Sequence, residues 1–165
     1  MSPKRQIHEP GHLRKFLVIV DETPECDRAI YYASRRAART GSGVVMLGIL
    51  QLEDLRQQWL GVADLMRAEA TEAMQERLDH FAARARQVSG VSAEGVIREG
   101  HKADAIVSLI EHDLDIAVLV LASGTGTEGP GPLVALLAGP ASARFPIPVT
   151  VVPGALSDEE LDALA

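Results

Sequence analysis

Two stretches of this 165-residue chain hold residue types suited to chemistry. The first is Asp21-Glu22-Thr23-Pro24-Glu25-Cys26, which follows the apolar run Lys15-Phe-Leu-Val-Ile-Val20. The second is Ala122-Ser-Gly-Thr-Gly-Thr-Glu-Gly-Pro-Gly-Pro-Leu133, where Gly124, Gly126 and Gly129 spell G-x-G-x-x-G. Glycines let backbone N–H groups approach a phosphate closely, and a carboxylate at a strand end can accept hydrogen bonds from a sugar or base. The same glycines also suit a plain turn-rich loop. In a dinucleotide-binding domain the motif follows the first strand, opens into a helix and has an acidic residue about 20 positions on. Here it follows a late apolar run, prolines 130 and 132 interrupt any helix, and no Asp or Glu lies between Glu128 and Asp158. No G-x-x-x-x-G-K-[ST] occurs, which excludes a P-loop.

Other reactive residues lack partners. Cys26 stands where a helix dipole would lower a thiol pKa, but no histidine is placed by sequence to act as its base. The histidines at 8, 12, 80, 101 and 112 are scattered, and the single cysteine cannot supply the ligand pairs of a zinc site. No G-x-S-x-G elbow is present. The expectation is therefore a protein with no catalytic residues and no metal ligands, not an enzyme. Trp59, the only tryptophan, is either a lid, a partner anchor or a cover for its own helix.

The elements that must position these residues follow from periodicity. Continuous apolar runs at 15–20, 44–50 and 116–121 read as strands covered on both faces, with a shorter strand at 95–98. Thr23 is an N-cap candidate with Pro24 at the first helical position, and Ala29, Ile30, Ala33 and Ala37 recur at helical spacing until Gly41. Helical stripes recur over about 62–88 and 102–113, with shorter pieces at 133–138 and 140–145. Residues 147–152, with Pro146 before them and Pro148 inside, read as a fifth strand at a sheet edge. Residues 1–14 read as a disordered arm, and Ser157-Asp-Glu-Glu160 is a capping box starting a short C-terminal helical tail over 154–165. Strands alternating with helices imply a parallel sheet helical on both faces, with its ligand crevice where strand order reverses.

The net charge of −7 argues against nucleic-acid or anionic-membrane partners, which need a basic face. No apolar run is long enough to span a membrane and no secretory signal is visible, so a cytoplasmic location is expected.

The chain resembles the universal stress proteins over about residues 15–152. The resemblance rests on KFLVIVDETPE, on VVMLGIL, on VIREGHKADAIVSLIEHDLDIAVLVLAS and on PIPVTVVPG. The ATP-binding branch of that family carries G-x2-G-x9-G-[ST] after its fourth strand. Gly126, Gly129 and Gly139 match its spacing, and Pro140 follows in place of Ser or Thr, leaving Ser142 as the nearest hydroxyl. The resemblance implies a single doubly wound α/β domain over 15–153 with a five-stranded parallel sheet in the order 3-2-1-4-5. It implies an adenine nucleotide, ATP or AMP, with Mg²⁺ where phosphates are bound. It gives Asp21 the ribose or adenine, and Ile49 an adenine edge. The full candidate set is Asp21, Glu22, Thr23, Ile49, Ser123, Gly124, Gly126, Gly129, Gly139 and Ser142, with Lys102 as the nearby cation. Without a ligand, Asp21 helps start the helix and Ile49 is core. The family also implies a homodimer through strand 147–152. A ligand-free dimeric scaffold, its glycine loop contacting a protein partner, is the alternative.

Overall fold

The apolar runs become strands because each is flanked by turn residues and followed by a helix that covers it. A computed structural model describes residues 4–51, 60–127 and 129–165. Strands β1 (Lys15–Val20), β2 (Gly43–Leu50), β3 (Ala93–Glu99), β4 (Ile116–Ser123) and β5 (Val149–Pro153) form one sheet in the order β3-β2-β1-β4-β5. Every neighbouring pair is parallel. The helices are α1 (Cys26–Thr40), α2 (Leu60–Ser89), α3 (Lys102–His112), α4 (Pro132–Ala138) and α5 (Asp158–Leu164), with a 3-10 turn at Pro140–Arg144.

Period-two alternation along β1 divides the core. Phe16, Val18 and Val20 face one hydrophobic cluster with Ile30, Ala33 and Ala37 of α1 and Met74, Leu78 and Phe81 of α2. Leu17 and Ile19 face the other, with Ile106, Leu109 and Ile110 of α3 and Leu133 of α4. Both faces are thus covered, as a parallel sheet requires. The chain builds outward from β1 through β2 to β3, then returns to β4 on the other side of β1. Strand order reverses between β1 and β4, so their carboxyl ends define the crevice.

Four details differ from the sequence reading. Thr23 does not cap α1. Its backbone N–H and its hydroxyl both donate to Asp21 Oδ1, at 3.0 and 2.5 Å, an Asx turn that holds both residues before the helix. Helix α1 starts later, at Cys26, with Glu25 in the cap position. Strand β5 begins at Val149, so Pro148 precedes the strand; its carbonyl accepts the Leu119 N–H at 3.0 Å. The polar arm does not hang free from residue 4 onward, because Arg5 donates to the carbonyls of Ile110 and Asp113 and His12 pairs with Asp115.

The C-terminal helix is built as its capping box predicts, with Ser157 and Glu160 exchanging side-chain bonds to backbone N–H groups. Leu161 is fully buried, and Arg39 of α1 donates to the carbonyls of Asp162 and Ala165. Between α1, α2 and α5, Arg28 and Arg84 bracket Asp27 and Asp158. Burial pushes the Asp27 carboxyl up, but hydrogen bonds from Arg84 and Arg28 outweigh it and hold its pKa below the usual range. Among the described residues no helix is long and apolar enough to cross a membrane.

Candidate functional site

Asp21 is the first residue after β1, at the reversal point. Its Oδ1 is engaged by Thr23, whereas Oδ2 is buried with no hydrogen-bond partner among the described residues. An unsatisfied buried acceptor costs about 1–3 kcal/mol, so such a group marks either a defect or a ligand contact. Asp21 lines a cleft of about 410 Å³ together with Ile19, Glu22, Thr23, Ile49, Leu50 and Gln51. Helix α2 contributes Ala70, Ala73, Met74 and Arg77 to the opposite wall, and Lys102, Pro132 and Leu133 complete it.

The cleft exists because of where side chains are small. Met74 packs directly over Gly48 of β2, where any Cβ would overlap its thioether. Ala70 and Ala73 beside it leave room above the strand ends. The walls are mainly apolar, and the polar groups are a carboxylate with an unused oxygen, Glu22, Thr23, Gln51 and two cations. Arg77 reaches Glu22 Oε1 at 3.2 Å.

The glycine loop lines a different, more open cleft of about 1020 Å³, with Gly124, Gly126, Gly129, Glu25, Asp27, Arg28 and Gly154. Thr23 and Pro132 line both clefts and so mark their junction. The loop closes on itself through the Gly124 N–H, which donates to the Pro130 carbonyl at 2.8 Å. Gly129 and Gly131 have φ of +105° and +95°, a conformation that glycine adopts without strain.

The structure therefore gathers Asp21, Glu22, Thr23 and Ile49 at one cleft, and Gly124, Gly126 and Gly129 at its neighbour. Ser123 ends β4, with its carbonyl oxygen against Gly154. Gly139 follows the last residue of α4, a seven-residue helix that separates it from the other glycines. Ser142 belongs to the 3-10 turn; its side chain, like Trp59 and Glu128, lies outside the described residues. Arg77, Ala70 and Met74 were not legible in advance. They lie on one stripe of a 30-residue helix, and nothing in a periodic stripe says which turn will face the strand ends.

The model of the Universal stress protein family matches residues 12–153. The chain belongs to this family. The solved structures that resemble this universal stress protein include a family member from Burkholderia pseudomallei, 17% identical, with a TM-score of 0.65, covering 86% of this chain and 96% of that one. A second, from Arabidopsis thaliana with AMP bound, is 20% identical, with a TM-score of 0.57 and coverage of 88% and 94%. A third, a universal stress protein in complex with cAMP, is 16% identical, with a TM-score of 0.60 and coverage of 87% and 98%. A search of curated proteins finds no significant match.

In this universal stress protein, Cys26 is not the activated thiol that its place in the chain suggested. It is buried, lies 3.7 Å from the Ile19 carbonyl oxygen, and burial pushes its pKa up to about 12. Desolvation of the thiolate outweighs whatever the helix dipole offers.

Proposed function

We propose that this universal stress protein binds an adenine nucleotide of the AMP or ATP class in the cleft beside Asp21. It would act as a cytoplasmic signalling module with no catalytic step of its own. The observation that carries the reading is Asp21 Oδ2, buried without a partner on the wall of a cleft of about 410 Å³. That size lies within the roughly 300–1,000 Å³ range of small-molecule sites. Ile19, Ile49, Leu50 and Met74 suit the faces of a purine, while Asp21 Oδ2 would accept from a ribose hydroxyl or the adenine amino group. Lys102 and Arg77 supply positive charge for a phosphate, with Mg²⁺ as a further counter-charge. The AMP and cAMP bound by two structurally similar proteins support this ligand class.

Calorimetric titration of AMP into the purified protein is expected to show saturable micromolar binding. A flat titration would remove the reading. It would leave the alternative of a ligand-free scaffold, which the exposure of Thr125, Gly126 and Thr127 in the loop favours as a surface for a protein partner.

The proposed unit is a homodimer through β5. This edge strand pairs on one side only with β4, and Val151 is 38% exposed on it. An unpaired apolar edge is an association surface unless covered. Val151→Lys is expected to sediment as a monomer, and an unchanged sedimentation coefficient would put the subunit contact elsewhere.

A further inference from the structure

The glycine loop already contains a carboxylate. Glu25, the last residue before α1, turns its side chain under the loop, where its Oε1 occupies space next to two glycines. A Cβ at Gly131 would stand 2.7 Å from that oxygen, and one at Gly124 would stand 3.3 Å away. A Cβ at Gly154 would come within 3.1 Å of the Glu25 Cβ as well. The absent side chains of three glycines thus make room for a glutamate of the same chain.

Some of the backbone donors beside this cleft are already engaged. The Gly124 N–H donates to Pro130, that of Cys26 to the Thr23 carbonyl, and that of Arg28 to the Glu25 carbonyl. Prolines 130 and 132 have no N–H. The cation of this cleft, Arg28, is held by Asp27 and Asp158 at 2.5 and 2.7 Å and by the Leu156 carbonyl at 2.9 Å. Its charge is matched before any ligand arrives. Beyond the paired Asp27, one further acid, Glu25, lines the cleft. The neighbouring cleft has two cations, Lys102 and Arg77, against two acids, Asp21 and Glu22, with Arg77 reaching Glu22 at 3.2 Å and Lys102 as its second positive charge.

We infer that Glu25 is a built-in anion under the glycine loop that makes the site favour nucleosides and nucleoside monophosphates over polyphosphates. This rests on the nucleotide reading above. The purine, the sugar and one phosphate fit the cleft of Asp21, Arg77 and Lys102. Further phosphates must pass the Thr23–Pro132 junction and meet Glu25. Glu25 is half-buried, so a like charge beside it is screened less than at a fully exposed surface. Glu25 is thereby the residue that sets specificity, and Mg²⁺ does not rescue the triphosphate.

The experiment compares AMP and ATP by calorimetry, with and without Mg²⁺, on the wild type, Glu25→Gln and Glu25→Ala. The wild type is expected to bind AMP at least about tenfold more tightly than ATP under both conditions, a difference of about 1.4 kcal/mol. Both variants should bring ATP to within about threefold of AMP while leaving AMP affinity within about twofold of wild type. Glu25→Gln keeps the shape under Gly131, so its folding, checked by circular dichroism, is secure even where the alanine variant loosens the loop. Equal wild-type affinity for AMP and ATP, ATP binding restored by Mg²⁺, or an unchanged ratio in Glu25→Gln would each overturn the inference while leaving the nucleotide site intact. Absence of AMP binding in the wild type would instead remove the nucleotide reading, and this inference with it.

Discussion

Asp21→Asn should lose AMP binding by about 10- to 100-fold and melt within about 2 °C of the wild type. The two halves of that expectation come from the two oxygens. Oδ1 accepts from the Thr23 N–H and hydroxyl, and asparagine retains an oxygen for both. Oδ2 has no partner in the described protein, so replacing it with an amino group breaks no internal bond. The bond it would make to a ligand hydroxyl or amino group is a charge-assisted one, worth about 1.5–3 kcal/mol. An amide N–H₂ presents a donor where an acceptor is needed, so that bond is lost and a donor faces a donor. Calorimetry with AMP and a thermal melt, run on the same preparation, separate the effects. Wild-type affinity in Asp21→Asn would take the nucleotide away from this carboxylate. A large fall in melting temperature would instead make Asp21 a structural residue of the Thr23 turn.

The sheet was legible because its strands announce themselves. Phe16 to Val20 and Ile116 to Ala122 are apolar at every position, as only a strand buried on both faces needs to be. With β1 and β4 central, the topology rule then puts the residue after β1 at the crevice, which is how Asp21 could be found without a structure. Thr23 misled because a threonine before Pro24 has the chemistry of a cap, and a sequence cannot show that an aspartate two residues earlier will take its hydroxyl. Arg77 was out of reach for a different reason. It is one of several charges on α2, and only the packing of Met74 on Gly48 fixes which of them overhangs the strand ends. The glycine loop was found, but not that Glu25 lies directly under it. Spacing records where side chains are missing, and the group that fills the space, Glu25, lies about 100 residues away in the chain.

Two glycines make that difference measurable, because motif spacing and packing rank them in opposite order. Gly139 completes the pattern that singled out Gly126 and Gly129, yet its φ is −101°, open to any residue, and the nearest atom to a Cβ there is the Leu136 carbonyl oxygen at 4.0 Å. Gly154 belongs to no motif. It follows β5 where this strand lies beside the end of β4, and a Cβ there would overlap the Ser123 carbonyl oxygen and press on Glu25. A flexible side chain could move aside; a strand carbonyl cannot do so without carrying β4 with it. Overpacking of this kind costs about 1–3 kcal/mol, and against backbone the upper part of that range is expected. For a chain of this size each kcal/mol lowers the melting temperature by about 2–4 °C. Gly154→Ala should therefore melt about 5–10 °C below the wild type, and Gly139→Ala within about 1 °C of it. Differential scanning calorimetry of the two variants decides the matter. A neutral Gly154→Ala would mean that β4 and the segment after β5 do not approach as closely as the register Ser123 to Pro153 implies. A destabilised Gly139→Ala would show that an added Cβ at the end of α4 meets more than the Leu136 carbonyl at 4.0 Å.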